Sequence, residues 1–272
     1  MRSYEELVAE AVAADVTGWD FGWLDGRATE ERPPWGYARR LATRLARVES
    51  ALDVDTGGGE VVDEAATLPP RMVVTEAWWP NARRAARRLG PRGVGVVAAR
   101  ADRLPLPDRV VDVVTSRHPV RPAWSEVHRV LRPGGHYFAQ HVGPSSAFEL
   151  IEWFVGPLSR ADQARDPAVE TRAAQAAGLD VTDVREARCR MEIHDIGAVV
   201  YLLRKCVWWV PDFTVERYAD QLRRLDAQIR AEGPFVAHST RFLVEAVRPG
   251  RSGQPASRSM ARAWASSDSG CV

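Results

Sequence analysis

The chain has 272 residues, 45% hydrophobic and 27% charged, with 37 basic against 36 acidic residues and a net charge of +1. That composition belongs to a folded globular protein, and the near-zero charge removes the simplest argument for a general nucleic-acid or membrane-surface binder. The longest apolar stretch, Ile196 to Leu203, is eight residues, where a membrane-crossing helix needs about 20; the opening MRSYEELVAE carries acids where a secretion signal has its apolar run.

The N-terminal stretch 1–45 is expected to be a helical, aromatic-rich lid segment. It holds Trp19, Phe21, Trp23, Trp35 and Tyr37. After it comes an alternation. ALDV (51–54) is a short apolar strand followed by a glycine turn and a short helix. RMVVTE (71–76) is a second strand, and AWWPNARRAARRLG (77–90) is a helix ended by Gly90 and Pro91. VGVVA (94–98) and RVVDVVTS (109–116) are a third and a fourth strand. RPAWSEVHRVL (121–131) is a helix stopped by Arg132-Pro133-Gly134-Gly135, and HYFAQHV (136–142) is a fifth strand. Strands alternating with helices at this spacing predict a parallel sheet covered on both faces, and Val/Leu-rich strands without alternation agree.

The C-terminal half keeps the theme around an insertion. AVETRAAQAAGL (168–179) reads as a helix and DVTDVREARCRMEI (180–193) as a strand. Residues 194–235 are expected to form a helical insertion that serves as an acceptor lid, in which Val215, Tyr218, Leu222, Leu225 and Ile229 recur at helical spacing before the stop signals Gly233 and Pro234. STRFLVEAVRP (239–249) is a last strand, expected to run antiparallel to the others. The main domain is thus placed at 46–247. Residues 248–272, rich in Gly, Pro and Ser, read as a disordered tail.

Cys189, Cys206 and Cys271 are widely spaced and form no CxxC pair, so no metal site is indicated and a reducing cytoplasmic setting is expected. Of the basic residues only Lys205 is lysine; such a skew reflects codon bias and is no sign of phosphate binding. The run Arg83, Arg84, Arg87, Arg88 reads as the solvated face of a helix.

The informative segment is LDVDTGGGE, Leu52 to Glu60. A strand running into three glycines and a helix lets a ligand lie against main-chain N–H groups. Glu76 closes the second strand 17 residues after Gly59, where an acid accepts hydrogen bonds from ribose hydroxyls. The dinucleotide pattern GxGxxG is not met, because Glu60, Val61 and Val62 follow the glycines, which argues against NAD.

Four blocks in order, LDVDTGGGE, VVTEAW, LPLPDRVVDVV and EVHRVLRPGGHYF, make the chain resemble class I S-adenosylmethionine-dependent methyltransferases over roughly residues 45–145, with FLVEAVRP matching that family's final strand. The resemblance implies a Rossmann-like, doubly wound seven-stranded α/β sheet with an antiparallel last strand, and S-adenosyl-L-methionine as cofactor. It implies that Asp53 lies near the methionine ammonium. Gly57 and Gly59 become close-approach glycines, Glu76 takes the ribose, Ala77 and Trp78 pack near the adenine, and Ala101 and Asp102 meet the adenine edge. Ser116, Arg117 and His118 follow the fourth strand beside the acceptor.

Two departures stand out. Asp55 occupies a position where the family usually has Gly, Ala or Ser, and faces the methionine part of the ligand. Arg100 stands where an Asp is frequent and cannot accept the adenine amino hydrogen bond. His118 and His141 are the candidate bases at the sheet edge. Trp19, Trp23, Trp35, Tyr37, Trp208 and Trp209 are candidate acceptor contacts through stacking or cation–π attraction. The expected activity is methyl transfer to a small-molecule acceptor, aromatic or heterocyclic, with no membrane partner. Two other readings stay open: an RNA base methyltransferase, because LLRKCVWWVPDF is loosely similar to ribosomal guanine methyltransferases, and a catalytically inactive binding protein on the same fold, argued by Asp55 and Arg100.

Overall fold

A computed structural model of the chain describes residues 2–158 and 165–250. In chain order the elements begin with α1 (Tyr4–Ala13), β1 (Ala28–Glu30), α2 (Tyr37–Leu45), β2 (Ser50–Val54) and α3 (Glu60–Asp63). Next come β3 (Arg71–Glu76), α4 (Trp79–Leu89), β4 (Gly95–Ala98), β5 (Val111–Arg117), α5 (Trp124–Val130) and β6 (Leu131–Val142). The rest are α6 (Phe148–Val155), α7 (Pro167–Ala176), β7 (Asp180–Ile193), α8 (Ile196–Lys205), α9 (Ala219–Glu232) and β8 (Phe235–Val247).

Among the described residues the strands form one sheet in the order β1-β7-β8-β6-β5-β2-β3-β4. β2 to β6 pair in parallel, and β8 runs antiparallel between β6 and β7. The expected antiparallel last strand is therefore present. The sheet has eight strands and not seven, because the three-residue β1 adds to the outer edge of β7. Its sequence, ATE, is too short and too polar to announce a strand.

Burial on both faces explains the continuous apolar strands. Every residue of β2 is buried. Leu52 and Val54 join a layer with Val114, Tyr137 and the α5 residues Trp124 and Val127. Ala51 faces the other way, into a layer with Val113, Phe138 and the helix residues Leu41, Leu45 and Leu89. A third cluster unites α1, α6, α8 and α9 through Leu7, Leu150, Val199 and Leu222. The N-terminal helix and the insertion thus share one core, at the end of the sheet remote from β4.

Several boundaries move. β8 starts at Phe235, four residues before the expected Ser239, to pair with the full length of β7. α9 starts at Ala219, because Tyr218 and Arg217 hydrogen-bond back to Thr214 in a turn. Arg248, which the sequence places in the tail, is packed against the fold. Arg248 is buried, its N–H donates to Gly135, and its Nη1 donates to the carbonyls of His128, Arg129 and Leu131 at the end of α5. Residues 251–272 of the expected tail lie outside the described residues.

A cation on the last carbonyls of a helix offsets their unpaired ends and the negative end of the dipole. Arg248→Ala is expected to destabilise the fold by about 1–3 kcal/mol, read as a lower urea midpoint with an unchanged slope.

Candidate active site

The carboxyl ends of β2, β3, β4, β5 and β6 meet at one edge of the sheet, where an open α/β fold binds its ligands. β2 supplies Asp53 within the sheet and then the turn Asp55 to Gly59. Gly57 and Gly59 take φ of +65° and +81°, which a side chain rarely adopts. A Cβ on Gly59 would meet Leu89 Cδ1 of α4 at 2.7 Å, so this glycine also lets α4 approach the loop. At Gly57 the nearest neighbour is the Trp19 ring, 3.3 Å from where a Cβ would sit. Trp19 is the wall over the glycine turn.

Glu76 ends β3 and reaches the turn. Its Oε2 accepts from the Gly57 N–H at 2.9 Å, and its Oε1 accepts from the Trp78 N–H at 2.8 Å. Each carboxylate oxygen keeps a second lone pair for a ligand hydroxyl. Ala77 and Trp78 are exposed beside it.

Three acids crowd this edge. Asp53 is buried and accepts from Thr115 Oγ1 at 2.5 Å. Burial pushes its carboxyl up to about 6, against the lowering effect of that hydroxyl. Asp55 stands at φ +56°, the conformation that glycine adopts at no cost. Burial, and then the neighbouring Glu76 carboxylate, push it up to about 6 as well, with the Val120 N–H opposing. An acid-lined turn suits a ligand that carries ammonium and sulfonium charges, so the departure at Asp55 is compatible with such a ligand.

A shallow cleft beside the turn is lined by Asp55, Ala101, Leu104, Ser116, Arg121 and Tyr137. Asp102 does not face it freely: Arg100 Nε and Nη2 donate to its two oxygens at 3.0 and 2.7 Å, and both residues are solvent-exposed. The departure at Arg100 and the expected adenine-edge acid Asp102 thus form one surface ion pair. Ser116 is tied down too. Its hydroxyl donates to the Val54 carbonyl at 2.8 Å, and its carbonyl accepts from Tyr37 Oη at 2.9 Å.

The histidines depart from expectation. His141 stands one residue before the carboxyl end of β6, but its side chain is enclosed. It is buried between Trp124 and Phe242, with Nε2 3.0 Å from Tyr137 Oη, and burial pulls its pKa down to about 3. His118 does sit at the edge, at φ +59°, but its Nε2 is 3.0 Å from Gln140 Nε2. Burial, then Arg117 and Arg241, hold it well below the usual imidazole range. It is neutral, and its Nε2 is engaged.

The aromatic residues divide. Trp23 stacks on Tyr201 at 4.7 Å. Trp35 is buried with Nε1 donating to Gln140 Oε1 at 2.8 Å. Tyr37 is buried and stacks on Phe138 at 4.9 Å. Trp209 packs into the α1–α8–α9 cluster. These four belong to the scaffold, because each has apolar or hydrogen-bonding partners that a ligand would have to displace. Trp19 and Trp208 remain 49% and 54% exposed, with ring centroids 5.8 Å apart beside the glycine turn. Sequence reasoning passed over Gln140, which joins Trp35 to His118; nothing in HYFAQHV marks it.

Residues 52–139 match the model of a family described as methyltransferase domain. A search of curated proteins finds no match. Among solved structures, a Bacillus halodurans C-125 protein provisionally named a methyltransferase superposes with a TM-score of 0.57 at 16% identity, covering 77% of this chain and 98% of that one. The YcgJ protein of Bacillus subtilis superposes with a TM-score of 0.56 at 16% identity, covering 78% and 98%. The structural likenesses establish the fold. The domain match supports an enzyme of methyl transfer with S-adenosylmethionine as cofactor.

Because the Asp55 carboxyl is raised in the folded state, that state holds more protons than the unfolded chain between about pH 4 and 6. Stability therefore falls as pH rises through that window. Asp55→Asn, which tolerates the left-handed backbone, is expected to stabilise the ligand-free protein by about 1–2 kcal/mol at pH 8 and to give no gain at pH 4, measured by thermal unfolding at both pH values.

Proposed function

With a methyltransferase domain over residues 52–139, on a sheet whose strand order carries the glycine turn and Glu76 to one edge, we propose that the chain transfers a methyl group from S-adenosylmethionine to a small aromatic or heterocyclic acceptor. The observation that carries the reading is the Glu76 clamp. It holds the Gly57 and Trp78 amides in place and leaves a lone pair on each oxygen that can accept from a ligand's hydroxyls. Asp53 and Asp55 supply a negative field for the ammonium and sulfonium groups of that ligand. The exposed Trp19–Trp208 pair supports a flat acceptor, since aromatic faces stack on rings and attract sulfonium charge. The free, buried thiols Cys189 and Cys206 suit a reducing cytoplasmic setting.

When bound, the cofactor supplies a methyl group activated by positive sulfur. The chain's own work is alignment and exclusion of water. Glu76 fixes the nucleoside end, the acids draw the methionine end, and Trp19 closes over the turn. His141 and Nε2 of His118 are not part of a base mechanism in this reading, for the reasons given above.

Calorimetric titration with S-adenosylmethionine and S-adenosylhomocysteine tests the proposal. Micromolar binding is expected, weakened at least tenfold by Glu76→Gln, about 1.4 kcal/mol. Absence of binding to either would favour an inactive binding protein on the same fold. A pH series adds a second check. Asp53 and Asp55 ionise near pH 6, so affinity for S-adenosylmethionine is expected to rise from pH 5 to 7.5, and more steeply than affinity for the uncharged-sulfur product.

A further inference from the structure

Gln140 lies buried near the end of β6 with both ends of its amide committed. Trp35 Nε1 can only donate, and it lies 2.8 Å from Gln140 Oε1. The oxygen end of the amide therefore faces Trp35, and the NH₂ end faces His118. That NH₂ group, also only a donor, is 3.0 Å from His118 Nε2. Nε2 must offer its lone pair, so the proton of the neutral ring sits on Nδ1. The Nδ1–H makes no hydrogen bond to any described residue. His118 thus presents a donor at the sheet edge, where the sequence suggested a base.

A second donor stands beside it. In the sheet register Arg117 is the partner of Gln140, and Arg241 is the partner of Val142, two residues further along β6 and on the same face. Arg117 is exposed and forms no hydrogen bond or ion pair among the described residues. Neighbouring arginines are neutralised: Arg241 of β8 pairs with Glu30 at 2.8 Å, and Arg40 and Arg44 of α2 pair with Glu245 at 2.6 and 2.7 Å. The charged groups that face Arg117 are Arg241, Arg32 and Glu64, and those that face His118 are Arg117, Arg241 and Arg165. Cations outnumber acids at this spot, whereas the glycine turn next to it is acidic. A guanidinium without a partner and a neutral N–H make a donor-only set, which matches the lone pairs of an oxyanion.

We propose that Arg117 and the Nδ1–H of His118 form a subsite for an anionic group, a carboxylate or phosphate, on the acceptor. This rests on the methyltransferase reading above and deepens it: the acceptor is an acid, held by its anion on the β5 side while its nucleophile points to the glycine turn. Trp35 and Gln140 are positioning residues that set the tautomer.

The test uses the full chain, titrated calorimetrically with inorganic phosphate and, separately, with acetate, each in the presence and absence of S-adenosylhomocysteine. Millimolar binding of at least one anion is expected, weakened at least tenfold in Arg117→Gln, with affinity for S-adenosylhomocysteine unchanged. The stronger of the two anions names the acceptor's group. Nitrogen-15 NMR of the imidazoles provides a readout that loss of packing would not mimic. His118 is expected to show a protonated Nδ1, and Gln140→Glu, whose carboxylate accepts from both neighbours, is expected to move the proton to Nε2. Anion binding that is absent, or equal in Arg117→Gln, overturns the proposal, as does a wild-type His118 protonated on Nε2. If S-adenosylhomocysteine fails to bind while anions bind in an Arg117-dependent way, the cofactor reading falls and the anion subsite stands.

Discussion

One carboxylate organises the working edge of this protein. Glu76 accepts from the Gly57 amide on one oxygen and from the Trp78 amide on the other, joining the loop after β2 to the start of α4. A glycine-rich turn has much conformational entropy to lose. Two charge-assisted hydrogen bonds to a buried acid are a strong way to hold it. α4 packs closely on the turn, because Leu89 Cδ1 lies 2.7 Å from where a Cβ on Gly59 would sit. So does Trp19, whose ring lies against Gly57. Without that carboxylate, the glycine turn, the helix and the aromatic wall have no common reference point.

The same edge stores unfavourable electrostatics. Asp53 and Asp55 are both held near pH 6 by burial, and Glu76 adds a third carboxylate. A fold selected for stability alone has no reason to place an acid at φ +56° beside two others. Such a cluster costs the ligand-free protein free energy that a cationic ligand returns on binding, as expected where local strain and charge serve a site. A few residues along the edge the sign reverses, with Arg117, Arg241 and Arg165 around His118. Charge of opposite sign at two places along one edge favours ligand groups of opposite charge at each.

Local sequence carried the inner sheet. β3 and β7 have the limits that apolar run and turn residues predicted, Arg71–Glu76 and Asp180–Ile193, because buried parallel strands and long hairpins leave strong local patterns. The glycine turn and Glu76 were legible for the same reason, since backbone geometry there demands specific residue types. β1 was not legible: it exists only because β7 offers an open edge. The roles of the tryptophans could not be read either. Trp19 and Trp35 stand in the same aromatic segment, yet one is half-exposed at the site and the other is buried on Gln140. The difference is made by a partner 105 residues away, and no local pattern encodes it.

The protonation of His118 belongs to that same class of long-range fact. A histidine after a strand in this fold suggests a base, and its sequence neighbours Arg117 and Pro119 do nothing to contradict it. What decides the matter is a chain of groups with fixed polarity. Indole can only donate, so an amide must turn its oxygen to it, so an imidazole nitrogen must accept. Each link is buried or half-buried, which makes an unmade hydrogen bond expensive and the polarity hard to reverse. Trp35, just before α2, and Tyr37, its first residue, both hold the ends of β5 and β6, one through Gln140 and the other through the Ser116 carbonyl. The N-terminal segment therefore does two separable jobs. Its earlier part, fastened by Arg84 to Thr17 and by Lys205 to the Val16 carbonyl, carries Trp19 over the glycine turn. Its later part, from Trp35 onward, sets the hydrogen-bond polarity of the acceptor side from beneath.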